Sequence, residues 1–181
     1  MRVISGTLRG LKLESLPGLD TRPTLDRVKE ALFSMLYSLT ADSVGLDLFA
    51  GSGALGIELL SRYGKECTFV DSSSDAIRII SANVKKCRME SQAHIEHKDA
   101  LDFLKTTGKK FDIVFIDPPY ASGLYTQILQ TIKERKLLTD NAYVVCECDS
   151  SYNLDYTGFE VIKDKTYGKV RLYVLEEAKH S

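Results

Sequence analysis

Asp117-Pro118-Pro119-Tyr120 is the segment of this sequence whose residue types define a chemistry most narrowly. Two consecutive prolines donate no backbone hydrogen bond, and the residue before each is held extended. The segment follows the apolar run 111–116, so it reads as a stiff strand end. It would offer two acceptors and no competing donor: the Asp117 carboxylate and the Pro118 carbonyl. Such a pair suits an exocyclic amino group on a heteroaromatic base. The lone pair of that nitrogen is delocalised into the ring, and gripping both hydrogens localises it. The grip strengthens as the nitrogen becomes positive in the transition state. Tyr120 would stack on a base turned out of its helix. The competing reading is an ordinary turn with Tyr120 as packing.

A second constellation lies upstream. Gly51-Ser52-Gly53-Ala54-Leu55-Gly56 matches G-x-G-x-x-G, and Asp71 follows about 20 residues on. A dinucleotide would lay its pyrophosphate on this loop. Asp47 stands four residues before Gly51, and its carboxylate would oppose that charge. S-adenosylmethionine has no phosphate. Its methionine end carries an ammonium that Asp47 would bind directly or through water, with Phe49, Ala50, Gly51 and Gly53 allowing close approach of the backbone. Asp71 with Ser72 would take the ribose hydroxyls, and Asp99 with the Ala100 N–H the adenine edge. Helix capping by Asp71, Ser72 or Asp99 is the structural alternative. A dehydrogenase stays open if Asp47 faces away from the loop.

These residues need elements that bring them to one edge. Apolar runs at 44–48, 67–70, 93–95, 111–116 and 143–146 alternate with helical patterns at about 54–63, 73–89, 99–106 and 123–136. Strands separated by such helices imply right-handed crossovers and a parallel sheet covered on both faces. Asp47, Asp71, Asp99 and Asp117 then fall at strand C-termini, where open α/β sheets bind ligands. Runs 159–163 and 169–175, joined through Thr166-Tyr167-Gly168, read as an antiparallel hairpin. The expected fold is α/β, a Rossmann-like sandwich whose mostly parallel sheet ends in that hairpin. Residues 1–42 would form an extension: a hairpin from 3–5 and 11–13, then a helix carrying Leu25, Val28, Leu32, Met35 and Leu39 with Thr24 as N-cap. Residues 43–181 would form the catalytic domain.

Composition agrees with this reading. A chain of 181 residues, 44% hydrophobic and 27% charged, suits one domain with a small appendage. No apolar run approaches the roughly 20 residues that span a bilayer, and no signal-like stretch opens the chain, so a cytoplasmic location is expected. Cys67, Cys87, Cys146 and Cys148 are irregularly spaced and read as buried packing. His94, His97 and His180 lack companion ligands, so no metal site is expected. The formal net charge of -1 averages unlike parts. Residues 1–12 hold Arg2, Arg9 and Lys12 without an acid, and residues 163–175 hold Lys163, Lys165, Lys169 and Arg171 against Asp164 alone. The middle of the chain is acidic. Basic charge at both terminal hairpins suits nucleic-acid phosphates.

Taken together, Asp47-Leu48-Phe49-Ala50-Gly51-Ser52-Gly53 and Asp117-Pro118-Pro119-Tyr120 resemble the class I amino-methyltransferases. Arg2-Val3-Ile4-Ser5-Gly6, Gly10-Leu11-Lys12-Leu13, and Arg22-Pro23-Thr24 followed by Arg27-Val28-Lys29-Glu30-Ala31-Leu32-Phe33 narrow the resemblance, as does Tyr167-Gly168-Lys169. They are similar to the RsmD family of bacterial 16S ribosomal RNA guanine-N2 methyltransferases, over essentially the whole chain. The resemblance implies S-adenosyl-L-methionine as cofactor and methyl transfer to N2 of a guanine in 16S ribosomal RNA. It implies a monomer acting on a small-subunit assembly intermediate, with Arg22 near the target nucleotide or the cofactor's methionine end. Arg22 thus joins Arg2, Arg9, Lys12, Lys169 and Arg171 as an expected RNA contact. Adenine and cytosine methylases share the tetrapeptide, so adenine N6 in DNA or RNA is the rival target. A non-catalytic ribosome-assembly module is the rival of another class.

Overall fold

The structure, a computed structural model, describes residues 1–18, 23–36, 38, 39, 41–62, 64–119 and 123–179. Chain order within them is α1 (Pro23–Met35), β1 (Val44–Asp47), α2 (Ala54–Ser61), β2 (Glu66–Asp71), α3 (Ser74–Lys86) and β3 (Ala93–His97). Then come α4 (Ala100–Thr106), β4 (Phe111–Ile116), α5 (Leu124–Glu134), β5 (Leu138–Asp149), β6 (Phe159–Tyr167) and β7 (Val170–Glu177). The strands form one sheet in the order β3-β2-β1-β4-β5-β7-β6. β1 to β5 are parallel, and β7 runs antiparallel between β5 and β6. The α/β sandwich with an antiparallel end is the fold the residue pattern predicted.

Strand alternation divides the apolar residues between two faces. Leu46, Leu48, Val114, Ile116, Val144 and Cys146 pack with Phe103 and Leu104 of α4 and Ile128 and Ile132 of α5. Ile113, Phe115, Val145, Leu172 and Val174 face the other way, onto Val28, Leu32 and Phe33 of α1 and Leu59 of α2. Cys67, Cys87, Cys146 and Cys148 are free and buried, as expected. No helix of the described residues is long and apolar enough to cross a membrane.

Element ends differ from the periodicity in instructive ways. β5 begins at Leu138, five residues before the expected start, because Asn141 takes a left-handed φ of 63° and the β4–β5 register shifts between Phe111 and Ile113. That bulge interrupts the alternation on which the prediction relied. β6 and β7 each run longer than the apolar runs, since paired backbone continues through polar Lys163–Thr166 positions. α1 opens with Pro23, a residue suited to the first helical position, so Thr24 falls inside the helix and not, as expected from the sequence, in the position before it.

The N-terminal arm has a single antiparallel bridge, Arg2 to Lys12, in place of a regular hairpin. Backbone bonds Val3 N–H to Leu11 O (2.9 Å) and Gly10 N–H to Val3 O (2.8 Å) close it. The arm lies between α1 and α2. The buried Glu58 carboxylate accepts from Ile4 N–H at 3.1 Å, and Lys29 Nζ donates to Arg2 O at 2.6 Å. Burial lowers the pKa of Lys29. The arm's tip docks on the C-terminal end of α2, where Thr7 N–H meets Ser61 O at 2.9 Å and Leu8 N–H meets Ser61 Oγ at 3.0 Å.

Gly6 and Gly10 both have left-handed φ, +87° and +86°, but their surroundings differ. A Cβ on Gly6 would stand 1.8 Å from Ser61 O, whereas one on Gly10 meets nothing within 4 Å. Gly10→Ala should therefore cost only the left-handed penalty of about 1–2 kcal/mol, a fall in Tm of a few degrees for a chain of this size. Gly6→Ala should cost at least about twice that, because the tip must leave its dock. Thermal unfolding of the two variants, compared with wild type, checks the ordering.

Candidate active site

The strand order turns at β1, which has β2 on one side and β4 on the other. Ligands of open α/β sheets bind at such a switch, beyond the strand C-termini. β1 delivers Asp47 there, β2 delivers Asp71, and β4 runs directly into Asp117 and Pro118. The loop after β1 is tied down at both ends. Leu48 N–H donates to Phe115 O (3.1 Å), Ala50 N–H to Val70 O (3.0 Å) and Gly53 N–H to Ala50 O (2.7 Å). Gly51 and Gly53 adopt φ of 58° and 81°, a backbone that L side chains rarely take.

Asp47 is 3% exposed and faces its own loop. Its Oδ2 accepts the Gly56 N–H at 3.0 Å, one of the free donors in the first turn of α2. Burial, and less so the charge of Asp71, raise its carboxyl to about 7 against the opposing effect of that N–H. This geometry decides between the two cofactors the motif left open. A carboxylate already sits on a donor that a pyrophosphate would need, and its charge repels one. A cationic ligand would relieve the same carboxylate.

Asp71 grips the loop from the next strand. Its Oδ2 accepts from Gly51 N–H at 2.9 Å and its Oδ1 from Ser73 N–H at 2.9 Å. The N-cap of α3 is Ser73, whose hydroxyl accepts from Ala76 N–H, so neither Asp71 nor Ser72 caps that helix. For Asp99 the capping alternative holds: Oδ1 accepts from Leu101 N–H (2.9 Å) and Asp102 N–H (3.1 Å) at the start of α4, of which Ala100 is the first residue. Phe49 packs against the α4–α5 side of the core, and Ala50 is buried.

Pro118 is buried, while Asp117 and Pro119 reach the surface. Asp117 is exposed at the strand end. Loss of water behind it, then the charges of Glu147 and Asp47, push its carboxyl well above the ordinary range. Glu147, on β5, is also raised by desolvation, and Tyr125 of α5 donates its hydroxyl to the Glu147 backbone carbonyl. Tyr120 and Arg22 lie outside the described residues, as does His180.

Two residues of this region carried no sequence signal. Glu147 lacks a motif; only its place one residue beyond an apolar run would have hinted at it. Asn83 is fully buried in α3, and its amide joins the arm to the loop. Glu14 N–H donates to Asn83 Oδ1 (2.8 Å), and Nδ2 donates to Glu14 O (3.0 Å) and Ser52 O (2.8 Å).

The basic residues divide. Lys169 is exposed in the β6–β7 turn, beside Asp149 at the C-terminal end of β5, and so shares the edge with Asp117. Arg171 is held by Asp164 at 2.8 and 2.7 Å and lies over the Tyr173 ring, and Arg2 pairs with Asp26 at 3.0 Å. Their charges are largely matched within the protein. Arg9 and Lys12 are exposed without an ion pair among the described residues. Arg9 sits at the arm's tip, a helix length away from the glycine loop; with Arg2, Glu30 and Arg62 it lines a concavity of about 400 Å³. A larger one of about 570 Å³ opens at the opposite edge of the sheet by Leu138 and Glu177, apart from all of this chemistry.

Comparison with known proteins gives a consistent result. The family model described as conserved hypothetical protein 95 matches residues 1–176. Ribosomal RNA small subunit methyltransferase D of Haemophilus influenzae is 39% identical over 180 residues, covering 96% of this chain and 93% of that protein. The protein of the same name from Escherichia coli K12 is 35% identical, covering 97% and 90%. The solved structure of Escherichia coli yhhF superposes with a TM-score of 0.88 at 32% identity, covering 99% of both chains.

Asp47 generates a pH dependence. Its folded value of about 7 exceeds its ordinary value of 3.8, so the folded state holds a proton that the unfolded chain has released. Stability of the ligand-free protein should fall as pH rises from about 4 to about 7 and level off above, with Asp47 contributing up to about 4 kcal/mol of that change. Asp47→Asn should flatten the slope. Denaturant melts at several pH values measure it, and an unchanged slope in the variant would refute the assignment.

Proposed function

Because this chain belongs to the RsmD family, whose conserved hypothetical protein 95 model spans residues 1–176, we propose that it methylates N2 of a guanine in 16S ribosomal RNA. The observation that carries this reading is the placement of Asp117 and Pro118 directly after β4, beside the carboxylate-lined loop after β1. Relatives named ribosomal RNA methyltransferases cover nearly the whole chain, so the enzyme class does not rest on the tetrapeptide alone.

The residues present fit S-adenosyl-L-methionine. Asp47 and Asp71 make the edge cation-seeking, and the left-handed Gly51 and Gly53 leave the loop backbone without side-chain cover. S-adenosyl-L-methionine supplies, when bound, an electrophilic methyl group on a sulfonium. In our reading Asp47 and the backbone of Phe49, Ala50, Gly51 and Gly53 hold its methionine end. Asp71 and Ser72 take the ribose, and Asp99 with Ala100 lies at the adenine. The Asp71 carboxylate already accepts Gly51 N–H, so the ribose would share a preorganised acceptor.

Asp117 and the Pro118 carbonyl accept the hydrogens of the target amine and localise its lone pair. Pro119 keeps the segment stiff, and Tyr120 stacks on the base. The alkylated nitrogen is strongly acidic, so its proton leaves without a dedicated strong base. Residues 1–42 serve as the substrate arm and 43–181 as the catalytic domain. Lys169 meets RNA at the catalytic edge, while Arg9 and Lys12 reach phosphates further along the substrate, with Arg2, Arg22 and Arg171 as supporting contacts. The enzyme works in the cytoplasm as a monomer on a small-subunit assembly intermediate.

Two outcomes test this. Asp117→Ala should lower kcat by about 10²–10³-fold or more while leaving cofactor affinity within about threefold. Nucleoside analysis of methylated substrate should yield N2-methylguanosine; an active variant, or N6-methyladenosine as product, would refute the reading. Separately, Arg9→Glu with Lys12→Glu should weaken RNA binding and reduce its salt slope by about 2, with cofactor affinity unchanged. Equal RNA binding by that double variant would remove the arm from the interface.

A further inference from the structure

Asp117 has a neighbour that the reaction described above does not use. In the parallel β4–β5 register Ile116 is paired with Cys146, so the next residues on the two chains, Asp117 and Glu147, come side by side. Ile116 and Cys146 both point into the α4–α5 core. Alternation therefore turns Glu147 to the opposite face, that of Phe115 and Val145. Asp47 also lies on that face, since Leu46 and Leu48 point into the α4–α5 core. The Glu147 backbone is fixed from two sides, by its pairing with Leu172 of β7 and by the Tyr125 hydroxyl. Neither the Asp117 nor the Glu147 carboxylate has a hydrogen-bond donor or a cation partner among the described residues. Two carboxylates on backbones one strand spacing, or about 4.8 Å, apart thus await donors from outside.

The ring edges of the bases answer this arrangement differently. The amine of guanine at C2 is flanked by N1–H, a second donor. The amines of adenine and cytosine are each flanked by a ring nitrogen lone pair. If Asp117 holds the amine, the ring atom beside the amine meets Glu147.

We propose that Glu147 is a specificity-determining residue: its carboxylate accepts N1–H of the target guanine beside the amine held by Asp117. This rests on the guanine-N2 reading and deepens it. Adenine or cytosine in the same pose would set a lone pair against a carboxylate, and the site would reject them because the bound base would cover the half-buried Glu147 carboxylate without giving it a donor. The same acceptor pair explains how a tetrapeptide common to several base methylases can serve one base here.

The test uses the full-length enzyme and two RNA substrates that differ only at the target base. One carries guanine; the other carries 2,6-diaminopurine, which keeps the 2-amino group but has a bare N1. Wild type should prefer guanine by about 100-fold or more in kcat/KM. Glu147→Gln is isosteric and turns an N–H toward N1, so its preference should shrink by about tenfold or more. A ratio between substrates on one enzyme preparation is insensitive to partial loss of fold. If wild type shows no preference, or if Glu147→Gln keeps the wild-type ratio, the proposal is overturned while guanine-N2 methylation stands. If the wild-type product on natural RNA is N6-methyladenosine, the guanine reading itself falls and takes the proposal with it.

Discussion

The buried carboxylate of Asp47 is the constraint around which the site is built. By accepting Gly56 N–H it joins the end of β1 to the first turn of α2, which sets the shape of the loop between them. Asp71 fastens the same loop from β2 through Gly51 N–H. Each of these carboxylates uses hydrogen-bonding capacity that a phosphate-binding loop would reserve for its ligand. A motif shared with dinucleotide folds here carries carboxylates on N–H groups that a phosphate would need. The cost is borne by the ligand-free state, in which burial and the charge of Asp71 raise Asp47. A ligand that brings positive charge removes that cost, so binding and pre-strained electrostatics are linked.

The sheet explains why these acids meet. Parallel strands bring Asp47, Asp71 and Asp117 to one edge, and the turn of strand order at β1 opens room between β1 and β4. The antiparallel β7 then returns the chain so that the β6–β7 turn, with Lys169, reaches the same edge. On the other side, the arm is clamped by Glu58, Ser61 and Lys29, and Asn83 bonds both the arm and the Ser52 carbonyl. The glycine loop and the arm therefore share one buried amide.

Much of this was readable from residue order. Apolar runs separated by helical patterns define the parallel sheet, and carboxylates at their ends define its working edge. The parts that escaped did so for physical reasons. The early start of β5 is hidden because a bulge at Asn141 breaks the alternation. Asn83 looks like any polar residue in a helix, since its value lies in backbone partners 69 and 31 residues away. Glu147 is exposed to notice only once strand register sets it beside Asp117. Charge counting overstated the N-terminal arm, because Asp26, which pairs with Arg2, lies outside the stretch counted, and it could not show that Asp164 is spent on Arg171.

The most direct measurement is the proton count on cofactor binding. Calorimetric titration of the protein with S-adenosylmethionine at about pH 6.5, repeated in buffers of different ionisation enthalpy, yields that number. A site of buried, partly protonated carboxylates that receives a cation must ionise, so binding should release protons, and Asp47→Asn should lose most of that release. Binding without proton release in wild type, or preferential binding of NAD, would contradict the cation-seeking site described above.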